Sequence, residues 1–327
     1  MRFVWVAFCG FVIASPFVLA DDVALIPRLE LNIQSSAIAL SSDDKFMAVA
    51  DGANVVRRLS RSEGQPVDEL GKLPVPVTAL AFSPDGRLLA AAGISGTRPG
   101  SFELRMWRLQ DKQVVYEISE PNHRDNGDGA ESLAFLRFSP NGKLLAHPAR
   151  NRTVEVYDVD KQAVVHTFPM GLIPSAVVFD PESKTIALGT DTGNAHGGIR
   201  HVDLATGNGL PSRSLLYSGV LDMAFSPDGA TLFGGHRNWL HRLDTKSGQY
   251  TNALLNDGRW IATALAFSPN ADRVALLNGK HLQLWDTKTG TMVTQSPLPN
   301  GRLAWSADGK VLVTATIDGK VRVWSTP

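Results

Sequence analysis

The chain has 327 residues, with Lys plus Arg and Asp plus Glu both at 32, so its formal net charge is zero, and 43% of its residues are hydrophobic. This balance argues against broad, charge-driven binding to nucleic acid or an anionic membrane and leaves only local patches for such contacts. Length alone suggests about two domains, unless small repeated units share one continuous core.

The first element is apolar. After Met1-Arg2 the segment from Phe3 to Ile13 is almost wholly hydrophobic, and Val18 and Ala20 are small residues ahead of Asp21-Asp22. That order predicts a secretory signal peptide over residues 1–20, cleaved after Ala20. The alternative is a retained anchor, because Phe3 to Ala20 comes near the lower length limit of a membrane span. Either outcome predicts an extracytoplasmic chain, periplasmic or secreted. The only cysteine, Cys9, lies in this segment. Residues 21–327 therefore hold no thiol, disulfide or cysteine metal ligand.

Residues 28–33 follow, with Leu29, Leu31 and Ile33 alternating with polar residues as a strand requires. The chain then repeats itself. Ala79 to Gly86 reads Ala-Leu-Ala-Phe-Ser-Pro-Asp-Gly, and close copies begin at Leu136, Met223 and Leu265. Weaker copies begin at Ile38, Val177 and Leu303. Their large apolar anchors are Leu40, Phe82, Phe138, Phe179, Phe225, Phe267 and Trp305, spaced by 42, 56, 41, 46, 42 and 38 residues. Ser-Pro-Asp-Gly predicts a type I turn: Pro presets φ, Ser bonds the turn backbone and Gly permits positive φ. Each copy continues into a third alternating strand and a polar turn, best seen in His281 to Gly290, which contains Trp285-Asp286. Segments such as Leu104 to Arg108, Val154 to Asp158, Leu240 to Gly248 and Val321 to Ser325 share this frame.

These turns, the Trp-Asp ending and the period resemble the WD40-repeat family. The resemblance implies an all-β chain: a seven-bladed β-propeller of four-stranded antiparallel blades, spanning residues 21–327, with blades starting near 36, 76, 131, 173, 218, 260 and 301. The seventh copy supplies three strands, so residues 28–33 are expected to complete the last blade and cover its edge. The family's Gly-His dipeptide is missing, and no His lies nine residues before any of the last six anchors. The His–Asp hydrogen-bond network of typical members is therefore not expected.

By the same resemblance, the second-to-third and fourth-to-first connections share one face, the top. The extra residues fall there: 93–101, 119–131 and 191–198. Clustered insertions on one face of a repeat array often build a binding surface. The partner-binding candidates are Arg98, His123, Arg124, Asp125, His196, Arg237, Trp239, Arg259 and Trp260, where an aromatic beside an Arg resembles an interface anchor. The bland reading is tolerated loop drift, with Trp260 packed between blades.

No catalytic or metal motif appears in the sequence: no G-x-S-x-G, H-E-x-x-H, P-loop or calcium loop. The expectation is a non-catalytic scaffold that binds protein or peptide partners through the top face. It is expected to act as a monomer, without cofactor, metal or nucleic acid, and without stable membrane insertion after cleavage. The alternative is a lactonase- or hydrolase-like propeller enzyme with a site at the central channel mouth, because catalytic groups from distant blades carry no motif.

Overall fold

The computed structural model describes residues 25–95, 100–122, 135–191, 197–210, 213–215, 219–236, 239–254 and 262–327. The regular structure among them is all strand, grouped into seven four-stranded antiparallel sheets. In blades 1 to 6 the strands follow one another in chain order from the inner to the outer edge. Blade 1, for example, consists of Ser35–Leu40, Phe46–Asp51, Val55–Ser60 and Pro66–Lys72. The chain is thus a seven-bladed β-propeller.

The first turn of each blade repeats one hydrogen-bonded device. The Ser after the anchor (Ser41, Ser83, Ser139, Ser226, Ser268, Ser306) donates to an Asp or Asn two residues on, at 2.5–2.9 Å. The same hydroxyl accepts the backbone amide five residues on, at 2.8–3.0 Å. In blade 4 Asp180 takes the place of the serine, and its carboxylate accepts the amides of Lys184 and Thr185. The fourth turn residue is left-handed throughout, as in Gly86 at φ 68° and, less comfortably, Ala271 at φ 55°. Residues 80 or more apart in sequence therefore make the same turn for the same local reason.

No blade has a core of its own. The buried apolar residues fall into seven clusters, each shared by two neighbouring blades. The seam between blades 7 and 1 joins Val311, Val313, Val321 and Val323 to Ile38, Met47, Val49 and Leu59. Leu29, Leu31 and Ile33 pack over this cluster. They belong to the closing strand, Pro27–Asn32, which pairs antiparallel with Lys320–Ser325 in the register Leu29↔Val323 and Leu31↔Val321. Glu30 reinforces the pair through Arg322 at 2.7 Å and through Lys320. The observed strand is shifted by one residue from residues 28–33, because Pro27 still pairs and Ile33 leaves the ladder.

Outer strands share a second irregularity. One-residue bulges interrupt the third-to-fourth ladder of blades 1, 2, 3 and 6, leaving Val67, Val115, Val165 and Val293 unpaired, and blade 1 has a second that leaves Leu70 unpaired. Such bulges raise local twist, which suits the outer edge of a propeller blade.

All three predicted insertions, 93–101, 119–131 and 191–198, include strand residues. In blade 2 the ladder continues through Gly93↔Glu103 and Ile94↔Phe102, and the fourth strand runs Gln113–Asn122, so residues 119–122 are strand rather than link. Blade 4 behaves likewise, with strands reaching Asp191 and restarting at Gly197. Polar, Pro-containing sequence favours loop, yet the free outer edge tolerates it: Pro121, on the fourth strand, pairs Ser101 of the third.

Removing residues 27–32 forfeits two half-buried leucines, about 1 kcal/mol each, together with the ladder hydrogen bonds, and exposes the edge of Lys320–Ser325. The midpoint of thermal unfolding should fall by roughly 5–10 °C. Size-exclusion chromatography should also show stronger concentration-dependent association than for the intact chain.

Candidate functional site

The seven first strands surround a central cavity of about 740 Å³. Each is the inner edge of its sheet, so its unpaired backbone N–H and C=O groups face this space. The side chains follow a simple pattern. One and three residues before each anchor, nine of fourteen positions are alanine, as in Ala37, Ala39, Ala79 and Ala81. Small residues there let seven strands converge around one axis.

Three charged residues break the pattern, and all three line the cavity: Arg137, Asp222 and Arg302. Arg137 of blade 3 reaches past blade 4 and donates to the Asp222 carboxylate of blade 5 at 2.9 Å. The other Asp222 oxygen accepts the backbone amide of Phe267 in blade 6 at 3.2 Å. One carboxylate thereby joins three blades across the channel. The exposures of the two partners differ: the Asp222 side chain is 11% exposed and the Arg137 side chain 49%. Sequence reasoning missed this group, because each residue sits alone inside an apolar strand. Aligning the seven copies on their anchors would have shown it, since arginine or aspartate then stands where alanine is the rule.

Of the predicted contact residues, Trp239 is described. It begins the third strand of blade 5, Trp239–Asp244, beside the second-to-third connection, and is 36% exposed. Arg98, His123, Arg124, Asp125, His196, Arg237, Arg259 and Trp260 lie outside the described residues. Among the described residues, no group of three or more His, Cys, Asp or Glu is arranged to hold a metal ion.

Titratable groups are also buried between blades. His147, on the second strand of blade 3, is fully buried and stacks on Phe102 of blade 2. Its Nδ1 donates to the Pro148 carbonyl at 3.0 Å, which leaves Nε2 to accept the Tyr116 hydroxyl at 3.4 Å. Burial holds the imidazole neutral and pushes its pKa down to about 4, while the same apolar setting pushes the Tyr116 phenol up. His201, bonded through Nε2 to the Thr185 hydroxyl at 2.9 Å, is lowered by burial as well. The third-strand indoles use partners other than histidine. Trp324 donates to Thr314 at 3.0 Å and Trp285 to Gln283 at 3.3 Å.

Residues 65–97 and 301–325 match the family described as WD domain, G-beta repeat. The WD40-repeat family is supported. The WD repeat-containing protein VIP3 of Arabidopsis thaliana is 29% identical over 109 residues, a stretch covering 33% of this chain and 34% of that relative. The chain thus aligns with about a third of the length of this curated relative. As a sequence unit, the WD40 repeat at 65–97 takes in the outer strand of blade 1 and the first two strands of blade 2. This stretch straddles a blade boundary, whereas residues 301–325 fall within blade 7.

A pH dependence follows from His147. Below the unfolded-state pKa of 6.5 the unfolded chain takes up a proton that the folded chain refuses until about pH 4. Stability conferred by the neutral, buried ring is complete above pH 6.5 and is lost as pH falls towards 4, by on the order of 3 kcal/mol. Urea unfolding at pH 7.5 and 5.0 should show this decline, and His147→Gln should flatten it. An unchanged slope in the variant would remove His147 as its source.

Proposed function

We propose that the chain is a non-catalytic binding scaffold, which holds protein or peptide partners on the top face of the propeller and works outside the cytoplasm. Proteins built from WD40 repeats are typically interaction scaffolds of this kind. The observation that carries the reading is the ring itself: seven sheets locked by shared cores present a preformed, rigid surface, so binding costs little ordering of the scaffold. Trp239 supports the choice of face, as a large aromatic left partly open to solvent at the end of a strand where the second-to-third connection of blade 5 emerges. Aromatic side chains held on a rigid element are the usual anchors of interfaces.

The extracytoplasmic placement rests on the sequence of residues 1–20, which lie outside the described residues. No helix among the described residues is long and apolar enough to cross a membrane. The scaffold acts as a single copy, since the closing strand already covers the open edge of its seventh sheet.

The test is a crosslinking capture experiment comparing the wild-type chain with two variants. One is Trp239→Ala; the other replaces residues 123–130 with a short Gly-Ser turn, keeping the strand that ends at Asn122. For a partner recovered with the wild type, Trp239→Ala should weaken affinity about tenfold or more, with little change in thermal midpoint. Wild-type recovery by both variants would reject the top face as the binding surface. Capture of the chain in the cytoplasmic fraction alone would reject the placement.

A further inference from the structure

We propose that the central channel is a second binding site, one for a small organic carboxylate, with Arg137 as its anchor. The inference is independent of the partner-binding face. It starts from the cost of what the sequence has done. Alanine suffices at most inner positions, so placing arginine and aspartate in a space otherwise walled by Phe135, Phe138 and Val178 gains nothing for packing.

The ion pair could be a structural clip and nothing more. Two features argue for an additional role. First, its members are unequal. Asp222 is nearly saturated, with one oxygen on Arg137 and the other on the Phe267 amide. Arg137 uses one N–H in that bond, of the five a guanidinium carries, and almost half of its side chain remains open to the channel. A planar group with spare, outward-facing donors suits bidentate recognition of a carboxylate. The existing bond to Asp222 need not break; it fixes the orientation of the guanidinium in advance. Second, the open part of Arg137 stands among largely apolar walls, where a charge-assisted hydrogen bond is stronger than in open water.

The rest of the lining sets the ligand's class. Ser175, 6% exposed, and Thr78 line the cavity four residues before their anchors, and neither hydroxyl has a hydrogen-bond partner among the described residues. Both hydroxyl oxygens are buried within the wall rather than open to the channel, so polar recognition falls to Arg137. Below them the wall turns to alanine methyls and aromatic rings. A space of about 740 Å³ falls in the range of small-molecule sites. A carboxylate on a compact apolar body matches this lining: charge to Arg137, body to the rings. A bare inorganic anion would leave the apolar wall unused.

The experiment uses the full chain and four probes: phenylacetate, hexanoate, phenylacetamide and inorganic phosphate. Binding is read by isothermal titration calorimetry and saturation-transfer NMR. The expected result is binding of at least one of the two carboxylates, with phenylacetamide and phosphate each at least about tenfold weaker. Arg137→Gln should weaken carboxylate binding by about tenfold to a hundredfold. Because that variant strands the Asp222 charge, the paired substitution Arg137→Leu with Asp222→Asn provides a folded comparison, and it should lose binding to the same degree. Failure of both carboxylates to bind, equal affinity for acid and amide, equal affinity for phosphate, or wild-type affinity in the double variant would each overturn the proposal.

Discussion

Everything in this molecule depends on apolar packing between adjacent sheets. Each blade is too thin to bury its own hydrophobic faces, so each buried cluster belongs to two blades at once. Such an arrangement has no satisfactory open form. A row of sheets would leave two apolar faces in water, one at each end, and only closure removes both. The cluster joining blade 7 to blade 1 is chemically the same as the other six, yet it brings together the first repeat, the closing strand and the last repeat. Stability is therefore shared around the ring rather than stored in any one blade.

The fold was legible in the sequence because its decisive feature is local and repeated. Ser-Pro-Asp-Gly specifies a turn whichever blade it stands in, and the structure shows the serine hydroxyl making the same two bonds in six blades. The alternation of Leu29 and Leu31 revealed the closing strand for the same reason, since period two means strand wherever one face is buried. Boundaries on the outer strands were less legible. Pro121 reads as loop, yet it lies on an edge strand, which asks for hydrogen bonds on one side only and accepts a proline.

The channel charges were invisible for a different physical reason. Arg137, Asp222 and Arg302 are far apart in sequence, and their meaning lies in radial convergence, which no single repeat encodes. The histidine buried beside Tyr116 was equally silent, because its environment comes from two blades. Exposed loops, by contrast, draw attention in a sequence through their composition, which is why the contact candidates cluster there while the sequence names no residue at the channel mouth. In a radial protein, what can be read from one strand is packing, and what must be read across strands is chemistry.

The pairing of Pro27–Asn32 with Lys320–Ser325 also determines how the ring responds to a pull. Because the two strands run antiparallel, Pro27 lies beside Trp324, and the two chain ends leave the ladder together. Tension applied there peels the bonds apart one at a time instead of loading them all in parallel, a mechanically weak geometry. What resists the first tug is Leu25, buried against blade 6 with its carbonyl bonded to the Ser296 hydroxyl at 3.1 Å. A tether upstream of that residue would strain this catch before the zipper, so a few atoms outside the ladder govern the force at which the propeller opens.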